Sequence, residues 1–109
     1  MAAQDPERLA RNESFFRQVN ERISEIAGGQ EHTEQEFLCE CADPACTDRI
    51  SLTVGEYEAI RSRPARFVLV PGHTAPSVEH VVGSAPNHVV VDKVGLAGNI
   101  AAELDPRDS

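Results

Sequence analysis

Along the first quarter of the chain, apolar residues recur at spacings of three and four. Leu9, Phe16, Val19, Ile23 and Ile26 fall on one stripe of a helix running from about Pro6 to Ala27. No proline or glycine interrupts that run. Asp5 is placed to cap it, Pro6 suits the first helical position, and Gly28-Gly29 supplies the stop. Arg11, Arg17, Gln18, Glu21, Arg22 and Glu25 fill the other positions and predict a solvated face with i, i+4 pairing. The apolar stripe is narrow and close to a 3.5-residue repeat. It suits either the core side of the domain or a seam for a partner helix, which Phe16, Val19, Ile23 and Ile26 would meet.

Beyond a polar linker at 29–35 the period shortens. Phe37-Leu38-Cys39 reads as a strand entering a turn at Ala42-Asp43-Pro44-Ala45, and Arg49-Ile50-Ser51-Leu52 as the strand leaving it. Thr53 then opens a short helix, with Glu56 completing a capping box and Tyr57 and Ile60 on its inner side, until Pro64. Three β-branched runs follow, 66–70, 78–82 and 88–91, separated by Pro71-Gly72, Pro76, Gly83 and Pro86-Asn87. Residues 95–104 predict a weak terminal helix, and 105–109 a frayed, disordered tail. The expected class is α+β: an N-terminal amphipathic helix (1–28), then a hairpin, a short helix and a small antiparallel sheet (29–109), forming one compact unit.

Composition narrows the possible partners. The 109 residues, 40% of them apolar, suffice for one core. A net charge of −8 argues against a nucleic-acid backbone or an anionic membrane as the main partner, and with no Trp, one Tyr and four Phe there is little to stack on bases. The acid is concentrated in the middle. Glu31, Glu34, Glu36, Glu40, Asp43 and Asp48 run without a base until Arg49, which predicts a solvated acidic face or a docking surface for a basic partner. An N-terminus without the apolar segment of a signal peptide, together with an odd number of cysteines, points to a reducing cytoplasm.

All three cysteines lie in that acidic stretch, as C-x-C-x4-C at 39, 41 and 46. Thiolates are soft, strong zinc ligands, and a structural site closes with four protein donors, often three Cys and one His. Alternate residues of an extended segment point the same way, so Cys39 and Cys41 can face one ion while the Asp43-Pro44 turn returns Cys46. His73 is the preferred fourth ligand, because Gly72 lets the backbone bend and project its imidazole. His32, His80, His88, Asp43 and Asp48 are the other candidates. Three thiolates with zinc and a neutral imidazole leave one negative charge, so turn N–H groups should donate to sulfur and Arg49 should help. The same ligands suit an iron–sulfur cluster, and a strained Cys39–Cys41 disulfide resolved by Cys46 is a redox alternative. A Cys46–His73 nucleophile pair is a weaker reading, because no third group to orient the imidazole is apparent.

From Phe37 to Cys46, through Ile50-Ser51-Leu52-Thr53, Glu56-Tyr57-Glu58 and Arg66-Phe67-Val68 to Pro71-Gly72-His73, the chain resembles a family of small uncharacterised actinobacterial proteins. The likeness extends to Asn12-Glu13, Phe16-Arg17 and Asn20-Glu21-Arg22-Ile23. The resemblance implies that the cysteines and the PGH turn belong to one design, and carries no activity with it. The expected function is a small zinc-binding, non-catalytic interaction or regulatory module. It would act on a protein partner, with transcription or signalling machinery as the setting. The alternative is a thiol-based redox or metal sensor.

Overall fold

The computed structural model describes residues 6–27, 32–41, 43, 45–75 and 79–106, without the side chains of 6–10. Its elements, in chain order, are α1 (Pro6–Ile26), β1 (Glu34–Leu38), β2 (Arg49–Thr53), α2 (Val54–Ile60), β3 (Arg66–Leu69), β4 (Glu79–Ala85), β5 (His88–Lys93) and α3 (Gly95–Glu103). Asp5, Gly28-Gly29, Ala42, Pro44, Pro76 and Val78 lie outside the described residues, as does the side chain of Leu9. Among the described residues, no helix is long and apolar enough to cross a membrane.

The α+β class expected from the sequence is the one observed. β1 and β2 pair antiparallel with Phe37 opposite Ile50, and β2 alternates as its pattern requires: Ile50 and Leu52 inward, Arg49 and Ser51 outward. The second sheet has the order β3-β5-β4, all antiparallel, with Phe67 opposite Val91. β4 does not stop at Val82. A bulge between Val81 and Gly83 absorbs one residue, and Gly83 then pairs with Val90, carrying the strand to Ala85. The α2 capping box forms as read: the Glu56 N–H donates to Thr53 Oγ1 at 3.0 Å, and the Thr53 N–H to Glu56 Oε1 at 2.8 Å.

Both sheets share one core. Phe37, Ile50, Leu52, Tyr57, Phe67, Leu69 and Val91 are buried together, and Phe37 stacks on Tyr57 with ring centroids 4.5 Å apart. Each such side chain contributes about 1.5–3 kcal/mol by leaving water. Just past β1, the Glu40 N–H donates across to the Val68 carbonyl of β3 at 2.8 Å.

The seam that α1 turns toward the domain is polar, contrary to the sequence reading. Glu13, Arg17, Asn20 and Ser24, spaced four, three and four, are all buried, with Glu21 beside them. Arg17 lies 4.4 Å above the Phe67 ring and donates to the carbonyls of Pro64 (2.5 Å) and Ala101 (2.8 Å). Arg61 donates to Glu21 at 2.5 Å and also to Asp105, so the tail expected to fray from Asp105 is held at its first residue. Ser24 donates to Glu58 at 2.6 Å, and the Lys93 ammonium sits between Glu13 and Glu79, all three fully buried. Arg17 and Glu21 are therefore inside, because a loop carbonyl, a carbonyl in the last turn of α3 and charges from distant elements replace their water; helical periodicity carries no record of such partners.

The apolar stripe divides accordingly. Phe16 is buried and Ile23 packs against the core, so those two serve the domain itself and not a partner seam. Val19 is half-buried, while Ile26 (77% exposed) and Phe15 (61%) face outward.

Candidate metal centre

Two chain reversals build the site. β1 ends at Leu38, but its pairing continues one step, with the Cys39 N–H donating to the Asp48 carbonyl at 3.0 Å. Asp43 then folds the loop back: its carboxylate accepts from the Ala45 N–H at 2.9 Å and its carbonyl from the Cys46 N–H at 3.1 Å. The second reversal follows β3. Gly72 adopts φ +91°, a left-handed conformation open to glycine, and the His73 N–H donates to the Val70 carbonyl at 3.1 Å. That turn delivers the imidazole to the cysteines.

Cys39, Cys41, Cys46 and His73 form a group that could hold a metal ion, their ligand atoms all lying within 4.8 Å of one another. His73 Nδ1 is 3.5 Å from Cys39 Sγ and 3.7 Å from Cys46 Sγ. A tetrahedral zinc ion with ordinary Zn–S and Zn–N bonds sets sulfur and nitrogen about 3.5 Å apart, so the observed spacing suits it. Cys39 and Cys41 are buried, Cys46 and His73 half-buried. A backbone N–H donates to one sulfur, Val70 to Cys39 at 3.2 Å, and the Asp43 and Asp48 backbones favour the charged forms of Cys41 and Cys46. Donors of this kind offset the negative charge that clustered thiolates accumulate.

Electrostatics divides the thiols. A hydrogen bond from Cys39, opposed by burial, holds the Cys41 thiol down at about 5. That shared bond pushes Cys39 up, with burial adding to it, while burial is the main cause that raises Cys46. On the far side of the imidazole, Asp48 Oδ2 lies 3.5 Å from His73 Nε2. A carboxylate on that side can help to orient the ring with Nδ1 toward the sulfurs, as second partners of metal-bound histidines do.

The other histidines are elsewhere. His32 and His80 are exposed, and His88 Nδ1 is 2.8 Å from Asn87 Oδ1. Asp43 serves the turn, and Asp48 stands on the Nε2 side of His73. Arg49 does not help the site: it lies 3.9 Å from Glu36, across the hairpin. Asp48 also supplies the third group that the Cys46–His73 pair lacked in the sequence. Yet Nδ1 is nearer Cys39 than Cys46, and an acyl group on Cys46 would share its space with two further sulfurs.

Glu40 and Asn20 escape a sequence reading. Glu40, expected on the solvated acidic face, is fully buried, and its carboxylate accepts from the Val68 N–H at 3.0 Å, Asn20 Nδ2 at 2.8 Å and the Tyr57 hydroxyl at 3.1 Å. Desolvation raises its proton affinity, and those bonds oppose it. One signal was available: if Cys39 and Cys41 face the site, the residue between them must face the protein. Comparison of the chain with protein-family models, curated proteins and solved structures finds no match.

Proposed function

We propose that the protein is a small zinc-binding module in which Cys39, Cys41, Cys46 and His73 hold a structural ion. The observation that carries this reading is the convergence of four donor atoms within 4.8 Å from two separate reversals of the chain. Four protein ligands close a tetrahedron and leave no open position for water or substrate, so the ion acts as a cross-link and not as a catalyst. A ten-residue excursion from Cys39 to Asp48, carrying little apolar surface of its own, is where a small domain gains most from such a staple. The module then works in a reducing cytoplasm through protein contacts, with the exposed acids Glu34, Glu36, Asp43 and Asp48 around the hairpin favouring a basic protein partner.

Metal analysis of anaerobically purified protein tests the centre. The expected result is a colourless protein with about one zinc per chain that unfolds when a chelator removes it. A brown protein with visible absorption would replace zinc by an iron–sulfur cluster, and three free thiols without metal would end the reading. One observation favours a second reading, a thiol sensor: Cys46 is half-exposed while its two neighbours are buried, so an oxidant meets Cys46 first. In that case peroxide releases the ion reversibly, whereas retention of metal under peroxide leaves the scaffold alone.

A further inference from the structure

Glu40 stands between two of the four ligand residues and faces away from them. It grips Val68 at two points, donating its own N–H to the Val68 carbonyl and accepting the Val68 N–H on its carboxylate. Two residues further along the chain, just past the end of β3, the Val70 N–H reaches Cys39 Sγ, and the Val70 carbonyl anchors the turn that presents His73. A slip of one residue between these segments would turn the Val70 N–H away from Cys39 and carry His73 out of reach. The remaining carboxylate oxygen is taken by Tyr57 and by Asn20. Asn20 in turn clamps Leu38, accepting its N–H at 2.7 Å and donating to its carbonyl at 2.9 Å.

We propose that Glu40 is a positioning residue of the metal centre: its carboxylate sets the register between the Cys39–Cys41 segment and the strand leading to His73, and Asn20 makes α1 part of that frame. This rests on reading the four residues as a metal site. It goes beyond that reading because none of the frame touches the ion, and because it gives α1 a role in metal affinity that no ligand residue reveals. A buried carboxylate is suited to the task. It accepts from three directions at once, whereas an amide accepts on one oxygen only and would set its NH2 donor to donor against either the Val68 N–H or Asn20 Nδ2. Asn20 cannot turn to relieve that clash, since both ends of its amide are engaged by Leu38.

The test compares the zinc affinity of the full chain, by chelator competition, and the visible absorption of its cobalt-substituted form. The variants are Glu40→Gln, Asn20→Ala and Tyr57→Phe, with Thr53→Ala as a destabilised control remote from the site. Expected is a 10- to 100-fold loss of zinc affinity in Glu40→Gln, the range typical of outer partners of metal ligands. Roughly threefold to tenfold is expected in the other two frame variants, which leave the site's charge unchanged, and none in the control. The cobalt band should shift in Glu40→Gln, reporting altered ligand geometry. A loss confined to Glu40→Gln with an unshifted cobalt band would mean that only its charge matters, and would overturn the proposal. So would wild-type affinity in all three variants, with the metal centre itself intact. If Glu40→Gln fails to fold, Tyr57→Phe decides, because it removes one hydroxyl and keeps the ring stacked on Phe37. Wild-type protein that binds neither ion ends the underlying reading, a result distinct from either of the others.

Discussion

Two sets of buried or half-buried polar groups organise this molecule, and they differ in what they still require. The cysteine–histidine group at the hairpin tip assembles four donors with no cation among them. The layer beneath α1 supplies its own cations: Lys93 between Glu13 and Glu79, and Arg61 between Glu21 and Asp105. One set could take its cation from outside, and the other has its cations within. That difference separates a binding site from a structural charge layer, since both are clusters of titratable groups drawn from distant segments.

The comparison breaks most severely at Lys93. Lys93→Met leaves two buried carboxylates without their cation and should cost about 3–5 kcal/mol, read by denaturant unfolding, while the folded protein keeps one metal per chain. Loss of metal by the folded variant would show that the two sets are not independent.

Acid should move the two sets in opposite directions. Burial raises the Glu13 carboxyl from 4.5 to about 7 in the folded chain, against the pull of Lys93. The folded state therefore binds this proton more tightly. Its contribution is fully present below about 4.5 and is lost as pH rises through about 7, at no more than about 1.4 kcal/mol per pH unit. Cys41 has the reverse sign: held at about 5 against 9.0 unfolded, it contributes above 9.0 and loses that contribution as pH falls through 5. Unfolding curves from pH 5 to 7.5 should show Glu13→Gln gaining stability relative to wild type as pH rises, while acid releases zinc from both proteins alike. A pH-independent difference between them would remove Glu13 from the account.

Smaller effects sharpen the boundary. Asp48→Asn weakens the hold on His73 Nε2 and should lower zinc affinity about tenfold, measured by chelator competition, without shifting the apo protein's unfolding midpoint. Thr53→Ala removes the α2 cap, and its cost of about 1 kcal/mol should appear in unfolding and leave zinc affinity untouched.

Much of this was legible along the chain, for reasons that can be named. The Ile50–Leu52 alternation, the Thr53–Glu56 box and the Cys39–Cys41–Cys46 spacing are short-range relations, and short-range geometry follows from backbone period and turn chemistry. That His73 and not another described histidine lies with the cysteines was also legible locally, because a glycine that can take positive φ precedes it. α1 was misread in part. Its Phe16 and Ile23 go inward as apolar residues should, but so do Glu13, Arg17, Asn20 and Ser24, whose partners lie 18 to 84 residues away. No window on the sequence contains both ends of those bonds.

By itself, then, the sequence determined which segments are helix and strand, and that three thiols would meet in one turn-rich loop. Only the tertiary structure decided which face of α1 is the inside, that Glu40 is a buried strut and not a surface acid, and that Asp48 stands behind His73. The physical reason is the same in each case. A polar side chain is cheap to bury only where a specific partner replaces its water, and the position of that partner is a property of the folded chain.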